Sequence, residues 1–183
     1  MGALEKNLPI RRPCRRNTIR SMGATPLDQT DRKILAILQQ DASLPVAEVA
    51  ARVNLSQTPC WRRIQRLEAN GVIQRRVAIL DPEKIGLGIQ VLVAIETGDH
   101  TPDWLQRFEG AVQAMPEVLE VHRTTGDIDY LMRVAVADMP AYDAFYKRLI
   151  AAVPIKKVTS RFSVERVKWT TAYPIPERSP AGA

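Results

Sequence analysis

The sequence predicts an α+β protein: a three-helix, winged-helix-like helix-turn-helix unit, a β linker, and a ferredoxin-like βαββαβ domain. Two patterns support this fold class. Apolar residues recur at helical spacing in three short segments over residues 27–71. From about residue 88 onward, strand-like and helix-like segments follow one another in the order β-α-β-β-α-β. The 183 residues, 45% of them hydrophobic, are enough for two small domains.

Residues 27–74 are predicted to contain the three helices. We expect Asp28 to be the N-cap of the first helix and Ser56 that of the third. The third helix should end before Gly71, since glycine is typical of the position after a helix. A tight turn between the second and third helices is typical of a helix-turn-helix.

The segments that follow predict a linker and a second domain. VIQRRVAIL is strand-like and DPEKIGLG is rich in turn formers, so residues 75–87 are predicted as a strand and linker. Residues 88–175 are predicted as the ferredoxin-like domain, from the strand IQVLVAIET to a last strand in KKVTSRFSVERVKW. Residues 176–183 are expected to be a disordered tail.

Residues 1–26 carry five of the six net positive charges, so the basic composition does not describe the folded part. Three interpretations stay open. The segment is a disordered arm that adds phosphate contacts, a targeting segment, or translation from a start upstream of a true start at Met22. The lack of an apolar stretch after its arginines argues against a secretory signal.

Composition excludes several classes of protein. The longest uninterrupted apolar run, VLVAI, is too short to cross a membrane, so no membrane partner is expected. The two cysteines, Cys14 and Cys60, suggest no disulfide framework, and a reduced cytoplasmic protein is the default. His100 and His122 are widely separated from each other and from the cysteines, so no metal site and no cofactor are predicted.

The third helix has two faces on a helical wheel. Cys60, Ile64 and Leu67 fall on one side and are predicted to face inward. The opposite face carries arginine, glutamine and threonine, which can hydrogen-bond base edges in the major groove of double-stranded DNA. The alternative is an ordinary solvated face. The residues expected to contact DNA are Ser56, Gln57, Thr58, Trp61, Arg62, Gln65, Arg66, Arg75 and Arg76.

Two residues of this helix allow other interpretations. Cys60 could be a thiol activated by the helix N-terminus and nearby arginines, or a small buried residue. Its place beside Ile64 and Leu67 favours burial. Trp61 could stack on a DNA sugar or lock the helix to its neighbours.

The most distinctive stretch of the second domain is RTTGDIDYLMRV, residues 123–134. Gly126 between two strands suggests a tight turn or a close backbone approach. Asp127 and Asp129 could act as an acid/base pair, but no nucleophile or metal ligand accompanies them, so no enzyme activity is predicted. Two readings remain open: hairpin carboxylates, one capping the turn, or part of a pocket for a small amino compound.

The chain resembles the Lrp/AsnC (feast/famine) family of transcription regulators, because it has a capped three-helix unit and the stretches LSQTPCWRRIQRLEANGVI, LDPEKIGLG and TGDIDYLMRV in order. The resemblance runs from about Leu27 to Ile175. The segments TPCWRRIQRLE, MPEVLE and YLMRVAVADM resemble the sequences of one branch of the family, the cysteine-responsive detoxification regulators. The basic segment before Leu27 has no counterpart in the family.

The resemblance implies an N-terminal DNA-binding domain and a C-terminal domain that dimerises and binds an amino acid effector, in a cytoplasmic, nucleoid-associated protein. Dimers of the family gather into tetramers, octamers or larger discs. A four-stranded sheet with helices on one face also needs a cover for the other, which a second copy would supply. The residues expected near the effector are Arg123, Thr125, Gly126, Asp127, Asp129 and Tyr130.

A ligand-independent architectural protein that wraps DNA remains the alternative function. Weak sequence preference and binding dominated by salt would distinguish it from a regulator that reads bases.

Overall fold

The computed structural model describes residues 26–176, which form two compact units: residues 26–76 together with 170–176, and residues 77–169. The expectations for the basic segment, including the start at Met22, and for residues 177–183 lie outside the described residues. None of the helices in the described part is long and apolar enough to span a membrane.

The first unit contains three helices, α1 (Gln29–Leu38), α2 (Val46–Arg52) and α3 (Gln57–Ala69), as the sequence predicts. Asn54, with a φ of 56°, adopts the left-handed conformation in the turn between α2 and α3. One buried apolar cluster joins the helices: Ile34, Leu38, Val49, Ala50, Val53, Cys60, Ile64 and Leu67.

The ends of α3 explain how its length is set. Gly71 has a φ of 71°, and its N–H donates to the carbonyl of Glu68 at 3.0 Å while Val72 N–H donates to Leu67 at 2.9 Å. These two bonds form the Schellman motif that glycine allows at this position, which confirms the predicted stop. Ser56 occupies the N-cap position with an extended backbone, but its hydroxyl makes no capping hydrogen bond, so that part of the prediction was wrong.

The second unit confirms the βαββαβ order. It contains β1 (Ile89–Glu96), α4 (Pro102–Ala114), β2 (Val118–Arg123), β3 (Tyr130–Val136), α5 (Met139–Ala152) and β4 (Lys157–Phe162). The strands form one antiparallel sheet in the order β2-β3-β1-β4. Both helices pack on one face, over a core that includes Trp104, Phe108, Met132, Phe145 and Leu149.

Two predicted strand segments are absent from the described structure. Residues 75–80 form no strand and their side chains are exposed, since no strand among residues 26–176 pairs with them. The last strand ends at Phe162 instead of reaching Trp169. Phe162 lies opposite Val91, and Ser163 N–H still donates to the Gln90 carbonyl at 2.9 Å. Because β1 begins at Ile89, it offers no strand residue beyond Ile89 with which β4 could continue to pair.

Residues 170–176 belong to the first unit, although the sequence predicts residues up to 175 as the end of the second domain. The side-chain amide of Gln39 donates to the Tyr173 carbonyl and accepts from the Tyr173 N–H, both at 3.0 Å. Arg32 donates to the carbonyl of Pro176. The chain therefore returns to α1 after β4, with Tyr173 at the C-terminal end of the helix and Pro176 beside Arg32 in its first half.

We predict that Gln39→Ala releases this returning segment. Losing both hydrogen bonds should speed deuterium exchange at the Tyr173 amide and lower the free energy of unfolding by about 1 kcal/mol or less. Gln40→Ala is the matched control, because Gln40 is exposed. Equal exchange at Tyr173 in the two variants, measured by mass spectrometry or NMR, would contradict the prediction.

Candidate functional sites

The buried side of α3 is the one predicted from its helical wheel. Cys60, Ile64 and Leu67 each have at most 1% of their surface exposed and lie in the core of the first unit. Burial raises the pKa of the Cys60 thiol, and the nearby Arg63 charge opposes this with a smaller effect. The thiol therefore stays protonated at neutral pH, as expected for a packing residue and not for a nucleophile.

The opposite side of α3 is open. Gln57, Thr58, Arg62 and Gln65 are exposed, and Trp61 has 51% of its surface exposed, so it does not lock the helix to its neighbours. An open depression of about 300 Å³ on this side is lined by Pro59, Arg62, Arg63 and Arg66. This face combines a positive surface with hydrogen-bonding groups, the two properties that DNA contacts need.

Two arginines of α3 are already paired with a carboxylate of α1. Arg63 Nη1 lies 2.9 Å from Asp31 Oδ1, and Arg66 Nη2 lies 2.6 Å from Asp31 Oδ2. Arg63 also pairs with Asp28, and this hydrogen bond is the main reason that the pKa of Asp28 is lowered and that of Arg63 raised. Sequence reasoning placed Arg66 on the outward face but missed this partner.

The same Asp31 completes the N-terminal cap of α1. Its N–H donates to Asp28 Oδ1 at 2.8 Å, and its own carboxylate accepts from the Asp28 N–H at 3.3 Å. This reciprocal pair is a capping box built from two aspartates. Two aspartates three residues apart are a sequence signal for a capping box. The sequence does not show that distant arginine side chains also pair with their carboxylate oxygens.

The two arginines after α3 differ in their surroundings. Arg76 Nη2 pairs with Glu68 at 2.9 Å, and both side chains are partly exposed. Arg75 is exposed and, like Arg62, has no ion pair within residues 26–176. Arg75 is therefore the better placed of the two to meet a phosphate.

In the second unit, the turn between β2 and β3 is held by its own backbone. Gly126 has a φ of 117°, which L side chains rarely adopt, and a Cβ there would meet nothing within 4 Å. The glycine thus serves a tight turn and not a close backbone approach. Thr124 closes the turn: its N–H donates to Asp129 O at 2.8 Å, and its hydroxyl to the Ile128 carbonyl.

The two acids of this turn have different environments. Asp129 Oδ2 accepts from the Thr97 N–H at 2.8 Å, and Oδ1 lies 4.0 Å from His100 Nε2. Asp129 therefore joins the turn to the loop of residues 97–100, which the sequence did not indicate. Asp127 is exposed, as are Arg123 and Thr125.

Tyr130, which the sequence analysis places near the effector, is a core residue of the second unit. Its ring centroid lies 4.7 Å from that of Phe108 and 5.8 Å from that of Trp104, on the face covered by the helices. Only 6% of its surface is exposed, and burial raises the pKa of its phenol. As the first residue of β3, Tyr130 has its side chain on the face opposite to that of the next residue.

A second depression lies beside the same loop. It has a volume of about 230 Å³ and is lined by Gly98, Asp99, Pro154, Ile155 and Lys156. It brings one carboxylate and one ammonium group to a partly apolar surface. Among residues 26–176, no cluster of three or more His, Cys, Asp or Glu side chains is arranged to hold a metal ion.

A helix-turn-helix with a positive outward face, joined in one chain to a βαββαβ domain with a charged loop, defines a DNA-binding transcription regulator with a ligand-binding domain. Family profiles agree: residues 27–74 match "Winged helix-turn-helix DNA-binding" and residues 90–173 match "Lrp/AsnC ligand binding domain". The chain belongs to the Lrp/AsnC family.

Several relatives match over most of their length. The Escherichia coli K12 protein named DNA-binding transcriptional activator DecR is 53% identical over 150 residues, covering 81% of this chain and 99% of the relative. A Zymomonas mobilis glutamate uptake regulatory protein is 48% identical over 153 residues, covering 84% and 93%.

Solved structures agree with the fold. An AsnC family transcriptional regulator from Agrobacterium tumefaciens has a TM-score of 0.78 at 54% identity, covering 81% of this chain and 97% of its own. The regulator NMB0573 from Neisseria meningitidis, solved as a complex with L-Met, has a TM-score of 0.78 at 35% identity, covering 81% and 96%.

The buried thiol leads to a prediction about reactivity. In a Cys14→Ser variant, Cys60 should react with a disulfide reagent at about pH 8 roughly a hundredfold more slowly in the folded protein than in denaturant, because the raised pKa and burial suppress the thiolate. A reagent that releases a coloured thiol on exchange gives the reaction rate of Cys60 by absorbance, in the folded protein and in denaturant. Fast reaction of the folded protein, or loss of DNA binding on mild oxidation that Cys60→Ser prevents, would contradict it.

Proposed function

We propose that this regulator reads an operator through the exposed face of α3 and senses an amino acid at the loops of its second unit. The observation that carries the first half is the open face of α3, on which Arg62 has no carboxylate partner within residues 26–176. Such a protein would act in the cytoplasm, on the nucleoid.

Base contacts are assigned to the exposed polar side chains of α3. Arg62 suits guanine, since two of its N–H groups can bond the base at once, and Gln65 suits adenine in the same way. Gln65 also donates to Glu68 at 3.1 Å, an exposed bond that it can exchange. Thr58 and Trp61 supply a methyl group and a ring for contact with thymine methyls or sugars.

Phosphate contacts are assigned to the two ends of α3. Ser56 is exposed with its hydroxyl outside any cap bond, next to the first N–H groups of the helix, including that of Gln57. This arrangement favours an anion. Arg75 follows the other end, and Arg76 can join it once its exposed pair with Glu68 opens.

The effector site is assigned to the loop of residues 97–100 and the turn joined to it by Asp129. An amino acid has an ammonium and a carboxylate, and Asp99 and Lys156 offer the opposite charges at the edge of one depression. Asp129 has 32% of its side chain exposed and can accept from an ammonium while keeping its bond to Thr97. Exposed Arg123, Thr125 and Asp127, with Gly126, complete the region.

Two similarities to other regulators support sulfur-containing amino acids as candidates for the effector. The related Neisseria structure is described as a complex with L-Met, and the sequence resembles cysteine-responsive regulators. Sulfur-containing amino acids, with cysteine first, are therefore the leading candidates.

Assembly is the proposed route from effector to DNA. The face of the sheet without helices exposes Leu92 to 42% and Leu119 to 48%. A second copy covering this face would bury them and would bring two α3 helices to half-sites on one duplex. We propose a dimer that builds tetramers, octamers or larger rings, whose packing the effector biases.

Arg62→Ala should weaken binding to the operator by about 1–3 kcal/mol, with a smaller loss on random duplex, if Arg62 reads a base. Fluorescence anisotropy with both duplexes measures the difference. Lys147→Ala, which removes an exposed charge from α5, is the control and should leave both affinities unchanged. Equal losses on operator and random DNA would mean that Arg62 touches only phosphate and would favour an architectural role.

A thermal-shift screen of the twenty amino acids at millimolar concentration should reveal the effector. The effective ligand should raise the melting temperature of the wild type but not of Asp129→Asn, because the neutral amide loses the ammonium partner. Asp103→Asn, an exposed acid in the first turn of α4, should keep the shift. No shift with any amino acid in the wild type would contradict the sensor proposal.

A further inference from the structure

Asp31 is the most buried charged group of the first unit, with 1% of its surface exposed. Each of its oxygens faces one guanidinium of α3: Oδ1 lies 2.9 Å from Arg63 and Oδ2 lies 2.6 Å from Arg66. Asp28 adds a second carboxylate to Arg63. Two of the three arginines of α3 are therefore neutralised from α1, and Arg62 is the one left without an ion pair within residues 26–176.

We propose that Asp31 is a positioning residue for DNA specificity: it keeps Arg63 and Arg66 away from phosphates, so that α3 meets DNA chiefly through Arg62. Non-specific affinity grows with the number of phosphates that a protein neutralises, whereas base contacts discriminate between sequences. Withholding two charges from the backbone lowers affinity for every duplex without removing a base contact. The loss is larger on random duplex, where no base contact fixes the register and a released guanidinium can shift to meet a phosphate, so the ratio of specific to non-specific binding rises.

The burial of Asp31 makes its ion pairs with Arg63 and Arg66 persistent. To reach a phosphate, Arg66 would have to leave a buried oxygen of Asp31 with only the 3.3 Å hydrogen bond from the Asp28 N–H, and a buried acceptor that loses a charged donor is destabilised. The pairs Arg52–Glu48 and Arg76–Glu68 are different, because their partners are substantially exposed and open at little cost. Arg66 is itself 52% exposed, so the ion pair restricts its choice of partner and not its access to the surface.

The inference rests on the DNA-reading role of α3 proposed above. Failure of that role would appear in Arg62→Ala, whereas the variants below concern Asp31 and its partners. The probes are a duplex selected from a random library by the wild-type full chain and a scrambled duplex of the same base composition. Affinities are measured over a range of salt concentrations, and the folded fraction of each variant is fixed by circular dichroism.

Asp31→Asn keeps the shape of the side chain but removes the charge that holds Arg66. We expect the scrambled duplex to bind roughly fivefold to tenfold more tightly at about 0.1 M salt, with a salt slope steeper by about 0.9, as for one added phosphate contact. The selected duplex should gain less, because its base contacts fix the register and limit the phosphates that Arg66 can reach, so the ratio of the two affinities falls. Glu48→Gln is the matched control: it removes one negative charge from an exposed pair on α2 and should leave the ratio unchanged.

The proposal is overturned if folded Asp31→Asn shows the same affinity ratio and salt slope as Glu48→Gln. A second variant decides the matter even if Asp31→Asn does not fold. Arg66→Gln leaves Asp31 paired with Arg63, so the fold is kept, and the proposal expects a salt slope equal to that of the wild type. A salt slope shallower than that of the wild type by about 0.9 would show that Arg66 binds a phosphate in the wild-type complex and would contradict the proposal.

Discussion

A buried carboxylate that shares its two oxygens between two arginines fixes how α3 is turned relative to α1. Because Asp31 cannot be left unpaired in the interior, Arg63 and Arg66 must lie on the side of α3 that faces the start of α1. Cys60 and Leu67 then point into the core, and the remaining polar side chains point outward. The surface offered to DNA is thus set by an ion-pair cluster as well as by hydrophobic packing.

The second unit is governed by a different constraint, the one-sided cover of a four-stranded sheet. Both helices lie on one face, so strand residues alternate between a buried core and an open surface. Val91 and Val93 have at most 1% of their surface exposed, whereas Leu92 between them is 42% exposed. An apolar side chain left open in this way favours burial against another surface.

The features that were predictable from sequence depend on neighbours close along the chain. The end of α3 at Gly71 and the buried face of α3 that carries Cys60 follow from local residue spacing alone. The partners of Asp31 lie 32 and 35 residues away, and no periodicity reveals such a pair. Residues 75–80 alternate like a strand, but alternation does not show whether a neighbouring strand exists to pair with them. The burial of Tyr130 against Phe108 likewise depends on a helix that its own motif does not include.

The return of the chain to α1 has a practical consequence for experiments on this protein. Tyr173 is bound by Gln39, a residue 134 positions earlier, so residues 170–176 pack with the helices of the first unit. A purification tag or fluorescent reporter inserted directly after Pro176 would crowd α1 and weaken the two hydrogen bonds between Gln39 and Tyr173. A label meant to follow the ligand-binding unit belongs instead on an exposed side chain of α5, such as Lys147.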